Sequence, residues 1–195
     1  MWDERYSEEE YVYGTEPNEF LRAMAEDIPK GRVLCLAEGE GRNGVYLAGL
    51  GCEVHAVDAS AVGLEKARKL AESRGVQIQT EVADLTQYTI EAENWDGVVS
   101  IFCHLPPPAR KVLHQQIVRG LRPGGRLILE AYTPEQLNYK TGGPPVAEMM
   151  MTLEALQEEL AGLEFIHARE IVRDVSEGKY HTGQGAVVQV VAVKR

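Results

Sequence analysis

Cysteine, basic residues and long apolar runs are all scarce in this chain, and each scarcity excludes something. Three cysteines among 195 residues (Cys35, Cys52 and Cys103), with no C-x-x-C pair, leave no disulfide framework and no zinc site. Each lies in or beside an apolar run and reads as a small buried hydrophobe. Thirty acidic residues stand against twenty Lys and Arg, a net charge of −10, and no basic stripe interrupts the excess. Attraction to a phosphate backbone needs clustered cations, so a small molecule is expected as the partner and nucleic acid is not. No apolar run nears the roughly 18 residues of a membrane span. The start, "MWDERYSEEE", lacks the basic-then-apolar pattern of a signal peptide. The expected location is the cytoplasm, with no membrane association.

What is present is an ordinary globular composition, 44% hydrophobic, in a length that suits one domain over residues 1–195. Residues 1–16 gather Trp2, Tyr6, Tyr11 and Tyr13 among acids, which suggests a segment that packs onto something. "EPNEFLRAMAEDIPKG" reads as a helix with Pro17 in its first turn and Phe20, Leu21, Met24 and Ile28 on one face. An alternation follows. "GRVLCLA", "CEVHAVD", "VQIQTEVAD", "WDGVVSIF" and "RLILEAYT" read as strands. "RNGVYLAGLG", "SAVGLEKARKLAESRG" (capped by Ser60) and "PARKVLHQQIVRGL" read as helices between them, with "RPGG" as a tight turn. After residue 133, "NYKTGGPPVAE" reads as a loop or lid and "TLEALQEELAG" as a helix capped by Thr152. "LEFIHAREIVRDV" and "AVVQVVAVK" read as a closing hairpin. The expected fold is α/β: a doubly wound sheet of about seven strands, mostly parallel, ending in an antiparallel C-terminal hairpin.

The stretch with the most chemistry is "VLCLAEGEGRNG". Its Gly39-Glu40-Gly41-Arg42-Asn43-Gly44 fits G-x-G-x-x-G directly after a strand. Gly39 and Gly41 permit backbone turns and close approaches that a Cβ blocks. Asp58 closes the second strand, nineteen residues after Gly39, where an acid can accept hydrogen bonds from ribose hydroxyls. Asp84, closing the third strand, is placed to reach an adenine amino group.

With these residues in view, the chain resembles the class I S-adenosylmethionine-dependent methyltransferases over almost its whole length. "VLCLAEGEGRNGVYLA" is similar to their first motif, "VHAVDAS" to their second-strand acid and "VADLTQY" to their adenine-side acid. "WDGVVSIF" and "LRPGGRLILEAY" are similar to their fourth and fifth strands, and the late hairpin to the pair that closes their Rossmann-like sheet. "AEGEGRN", "FCHLP" and "TGGPP" further resemble small bacterial enzymes grouped with tellurite-resistance and thiopurine methyltransferases. The resemblance implies S-adenosyl-L-methionine as cofactor and S-adenosylhomocysteine as product. It implies cofactor contacts from Glu38, Gly39, Glu40, Gly41, Arg42, Asp58, Ala59, Asp84, Leu85 and Phe102. It also implies a small-molecule methyl acceptor, with a soft sulfur, selenium or tellurium atom as one option, and a monomer or weak homodimer.

Two departures stand out. Cys35 occupies the position of the motif's usual acid, and Ala37 that of a glycine. Glu38 and Glu40 are the carboxylates that could serve instead. Asn43 reads as a helix cap, and Arg42 as either a surface ion pair or a site residue. His104, in the loop nearest the transferred methyl, and His181, in the hairpin, are the candidate catalytic bases. His55, His114 and His167 read as structural or exposed. Tyr11 and Tyr13 would belong to an N-terminal flap over the site. Two other readings stand beside the methyltransferase: a non-catalytic S-adenosylmethionine-binding protein, and a nicotinamide-dependent oxidoreductase.

Overall fold

Successive side chains of an extended strand point to opposite faces, and the first strand of this protein shows what that dictates. In β1 (Arg32–Leu36) every residue after Arg32 is buried, so both faces need cover. Val33 and Cys35 pack with Phe20, Leu21 and Leu47 on one side, while Leu34 and Leu36 join Leu113, Ile117 and Leu156 on the other. Burying each such side chain stabilises by roughly 1.5–3 kcal/mol, and the sheet is thereby held between two helical layers.

The computed structural model describes all 195 residues. The remaining strands are β2 (Glu53–Asp58), β3 (Gln79–Val82), β4 (Trp95–Ile101), β5 (Leu121–Tyr132), β6 (Glu164–Ser176) and β7 (Thr182–Val193). The helices are α1 (Trp2–Tyr6), α2 (Glu19–Met24), α3 (Arg42–Gly49), α4 (Ala61–Ser73), α5 (Pro107–Gly120) and α6 (Leu153–Glu159). The seven strands lie in the order β3-β2-β1-β4-β5-β7-β6. Strands β1 to β5 pair in parallel, and β7 runs antiparallel between β5 and β6. This is the expected doubly wound sheet. The chain leaves β1 toward β2 on one side, and the other half of the sheet begins at β4. The loops after β1 and β4 therefore diverge, opening a cleft at the carboxyl ends of the strands. No helix is long and apolar enough to cross a membrane.

Several local expectations need correction. The helix expected over "EPNEFLRAMAEDIPKG" is short: α2 ends at Met24 and a 3-10 turn, Ala25–Asp27, follows. Pro17 lies outside it, because Asn18 is the N-cap and its side chain accepts from the Leu21 N–H at 2.9 Å. Asn43 caps nothing; its Oδ1 accepts the Asn18 N–H at 2.9 Å, and the N-cap of α3 is Gly41. The third strand is only four residues long, since its one neighbour, β2, pairs it over His55–Asp58. "RPGG" is not a free turn but an irregular part of β5. Gly124 N–H donates to Lys194 O at 2.7 Å and Lys194 N–H to Gly125 O at 3.0 Å, tying this corner to the chain after β7. The final hairpin is longer than expected and its turn is only residues 177–181.

Charge is buried inside this frame. Glu130, in the middle of β5, is 0% exposed. Its carboxylate accepts from Asn18 Nδ2 (2.9 Å), Gln189 Nε2 (2.5 Å) and Arg173 Nε (3.0 Å) and Nη2 (2.5 Å). Asn18 Nδ2 also donates to Glu177 Oε1 at 2.7 Å, and Glu177 pairs with Arg42 Nη2 at 2.7 Å. Asn18→Ala removes a cap and leaves two buried carboxylates short of a donor, so it should destabilise by about 3 kcal/mol in urea denaturation. Asn18→Asp keeps the cap but adds a third buried acid. It should cost more than Asn18→Ala, and the opposite order would mean that the carboxylates are not held by this amide.

Candidate functional site

The glycine loop leaves β1 through a strained residue: Ala37 has φ +51°, a left-handed conformation that a Cβ disfavours. Gly39 N–H then donates to Asp58 Oδ2 at 2.8 Å, so the acid that closes β2 holds the loop. Asp58 Oδ1 accepts the Ser60 N–H at 2.8 Å, and burial raises this carboxyl above the usual carboxylate range. At Gly41, φ is +93° and an added Cβ would lie 2.6 Å from Ala67 Cβ. That glycine serves the packing of α3 against α4 and does not face the cleft.

Glu38 and Glu40, two residues apart, turn in different directions. Glu38 folds back under the loop, where its Oε1 accepts the Gly44 N–H at 2.6 Å and its carboxylate takes a hydrogen bond from the Cys35 thiol. Three residues after Cys35, a buried carboxylate thus caps a backbone N–H of the first turn of α3. Burial pushes the Glu38 carboxyl up to about 7, and burial likewise pushes the Cys35 thiol up. Glu40 borders the cleft, but its Oε1 accepts the Val12 N–H at 2.8 Å and its other oxygen pairs with Lys66.

Loop, strand ends and N-terminal segment enclose a cavity of about 710 Å³. One wall carries Glu38, Gly39, Asp58, Ala59, Asp84 and Leu85. Asp84 is exposed to it; Oδ1 accepts from Thr86 N (2.9 Å) and Oγ1 (2.7 Å), and these bonds hold its carboxyl below the usual range. The opposite end carries Tyr13, Phe102, His104, Leu105, Met149 and His181, with Gly143, Pro144 and Pro145 from the loop after β5. Arg42 lines the cavity between them, with Nη2 on Glu177 and Nη1 buried without a partner. A second depression, between α4 and the β2–β3 edge, is lined by Glu53, Arg68, Glu72 and glutamines and brings no reactive groups together.

Neither candidate base is an ordinary histidine. His104 Nε2 accepts the Tyr132 N–H at 3.0 Å, the ring also hydrogen-bonds the Phe102 backbone, and burial lowers its pKa to about 4. His181 packs against Tyr13, Phe102 and Tyr132 with ring centroids 4.7, 4.8 and 5.5 Å away. Its Nδ1 is buried without a partner, and burial lowers its pKa to about 3. Both rings are neutral near pH 7.

Of the residues expected at the site, the cavity thus gathers all but two. Gly41 faces α4. Tyr11 faces away as well, its hydroxyl donating to Lys66 O at 3.0 Å. Of the residues that α1 and the residue before it bring to the cavity mouth, Trp2 and Tyr6 were read only as part of the packed segment 1–16, and Met1 and Arg5 were not singled out. Their only signal was the cluster of aromatics before residue 16. The loop carrying Met149 is fixed by a buried cluster that was also missed: Arg110 donates to Glu148 O (3.2 Å) and Met150 O (3.1 Å) while pairing with Glu159, which in turn meets His114 at 2.6 Å.

Glu38 yields a pH prediction. Its folded pKa lies above the ordinary glutamate value of about 4.5, so between about 4.5 and 7 the folded protein holds a proton that the unfolded chain has lost. Stability from this group therefore falls as pH rises through that window. Glu38→Gln should remove the slope and gain on the wild type by roughly 2 kcal/mol between the two ends of the window. Parallel stability–pH curves for the two proteins would show that Glu38 titrates normally.

Residues 33–125 match a family model described as a methyltransferase domain. The chain is similar to a carboxy-S-adenosyl-L-methionine synthase of Trichlorobacter lovleyi, 42% identical over 83 residues, which are 40% of this chain and 33% of that protein. A carboxy-S-adenosyl-L-methionine synthase of Yersinia enterocolitica is 33% identical over 92 residues, 46% of this chain and 33% of that protein. The chain thus spans about a third of the length of these curated relatives. Among solved structures, one from work on converting a disulfide bond into a thioacetal group during echinomycin biosynthesis aligns with a TM-score of 0.78 at 19% identity, over 98% of this chain and 87% of that one. TehB from Haemophilus influenzae aligns with a TM-score of 0.73 at 21% identity, over 91% of this chain and 62% of that one. At such identities the structural likeness speaks for the fold.

Proposed function

We propose that this chain is a class I S-adenosylmethionine-dependent methyltransferase domain that binds S-adenosyl-L-methionine in the 710 Å³ cavity and delivers the methyl group to a small molecule; the matched residues 33–125 and the fold support this reading. The observation that carries the reading is the placement of three carboxylates, Glu38, Asp58 and Asp84, along one wall opposite an aromatic end whose two histidines are weak bases. The donor set suits that cofactor. Asp58 is placed for the ribose hydroxyls and Asp84, with Oδ2 free, for the adenine amino group. Glu38 and Arg42 lie near the start of α3, where an amino-acid end needs a carboxylate and a cation. The faces of Phe102, Tyr13 and His181 suit a sulfonium.

When bound, the cofactor supplies an already activated methyl group. The protein's task is then alignment and exclusion of water, which can contribute roughly 7–11 kcal/mol. His104, with Nε2 occupied by the Tyr132 N–H, and the packed His181 are both weak bases. That supports a soft acceptor, a sulfur, selenium or tellurium anion that needs no base. The residues past Gly125, which build much of this end, lie outside the matched family region, so the acceptor's identity rests on the site alone.

Calorimetric titration should show S-adenosylhomocysteine binding and no binding of NAD. NAD binding alone would replace this reading with an oxidoreductase. Asp58→Ala should weaken S-adenosylhomocysteine by about 100-fold, since it removes a charged acceptor and loosens Gly39. An unchanged affinity would refute the role given to Asp58.

The acceptor chemistry has its own test. A panel of thiol, selenite, tellurite and hydroxylated compounds, read by mass spectrometry, should show methylation of a soft acceptor. With an acceptor ionised throughout, kcat in a Glu38→Gln background, which removes the carboxyl that titrates near 7, should be level from about pH 6 to 8, because neither histidine titrates there. An inflection near the ordinary histidine pKa that disappears in His104→Ala or His181→Ala would restore a general base.

A further inference from the structure

Glu40 stands between the two glycines of the cofactor loop, yet its carboxylate serves another segment. Oε1 accepts the N–H groups of Val12 (2.8 Å) and Tyr13 (3.4 Å). Its second oxygen pairs with Lys66 of α4, and the two side chains are only 3% and 12% exposed. The Lys66 ammonium has three N–H groups; besides Glu40 it reaches the carbonyls of Glu10 (2.6 Å) and Glu8 (2.9 Å), and it lies 3.5 Å from that of Tyr6. Residues 7–10 form no regular helix or strand of their own, so this ammonium supplies the donors that their backbone lacks. Val12 is gripped from its other side too: its carbonyl accepts the Lys179 N–H at 2.8 Å. Gly178 packs so closely there that a Cβ would lie 2.2 Å from Val12 O. The segment so held places Tyr6 against the loop, its hydroxyl 2.6 Å from where a Gly39 Cβ would stand, and brings Tyr13 to the cavity.

We infer that Glu40 and Lys66 are positioning residues that lock residues 6–13 to the cofactor loop, so that bound cofactor leaves only when this segment lifts. The pair suits such a role. A buried ion pair contributes little net stability over an apolar pair of the same size, but it fixes one arrangement of the groups it joins. The cofactor loop and the segment share Glu40, so order in one favours order in the other, and the coupling runs both ways. The inference rests on the methyltransferase reading above.

The test uses the full chain, Lys66→Met, Glu40→Gln and the double variant, which leaves no charge unpaired. The first measurement is tryptic cleavage after Arg5, within α1, with and without S-adenosylhomocysteine. The second is association and dissociation of S-adenosylhomocysteine by stopped-flow tryptophan fluorescence. In the wild type, S-adenosylhomocysteine should slow cleavage after Arg5 about tenfold. In the variants, ligand-free cleavage should be about tenfold faster, protection should be lost, and dissociation should speed up at least about tenfold, with association, which passes through the same lifted state, faster as well. Wild-type cleavage and dissociation rates in the double variant would overturn the inference. If S-adenosylhomocysteine failed to bind the wild type, the methyltransferase reading would fall, and the ligand-free cleavage rates would still decide whether this pair holds the segment.

Discussion

A carboxylate with no exposure in the middle of a β-strand must be neutralised by groups brought from elsewhere, and Glu130 sets that condition for the whole protein. Its partners come from β6 (Arg173), β7 (Gln189) and the N-cap of α2 (Asn18). Through Asn18 and Arg173 the network reaches Glu177 in the hairpin turn, and through Glu177 it reaches Arg42 at the start of α3. Sheet, hairpin, N-terminal segment and glycine loop therefore meet at one buried set of charges. An apolar core would stabilise as well, but it would not dictate which turn faces which loop. The charges permit few other arrangements, because each alternative strands an ion away from water.

The same logic governs the site. The loop after β1 carries Ala37 in a left-handed conformation, and the loop after β4 carries Phe102 with φ +52°. Both lie on the cavity wall, where strain is tolerated because the surrounding bonds over-determine it. Gly39 is tied to Asp58, Glu38 to Gly44 and His104 to Tyr132. A cavity built from groups already committed to one another is pre-organised, so a ligand need not order them on arrival.

Features that depend on local pattern were legible in the sequence. The β1 run, the Gly39–Gly41 spacing, Asp58 at a strand end, the Ser60 and Thr152 caps and the closing hairpin are such features, and the structure has them at these positions, while Asp84 lies two residues past the end of β3. Features that depend on long-range meetings were not. Asn18 and Glu177 are 159 residues apart, and Arg110 and Glu159 are 49 apart; no periodicity joins them. The direction of a side chain on an irregular loop was equally hidden. Glu38 and Glu40 look interchangeable in "AEGEG", yet positive φ at Gly39 and Gly41 turns one under the loop and the other out to the N-terminal segment. Asn43 misled for a related reason. Its type suits a cap, but it stands two residues after the N-cap Gly41, and it serves Asn18 instead.

Strand β7 lies between β5 and β6 and runs against both. Two reversals restore the original direction, so β6 runs the same way as β1 to β5 and its carboxyl end arrives at the same rim as theirs. The turn at residues 177–181 is delivered there, beside the cavity, and no separate element is needed to carry His181 to it. Such a hairpin behaves as a graduated finger. Adding or removing one residue from each arm keeps the β5–β7 register intact and preserves which side chains face inward once two residues per arm have changed. The reach of the tip can therefore be altered in discrete steps, independently of the glycine loop at the other end of the cleft.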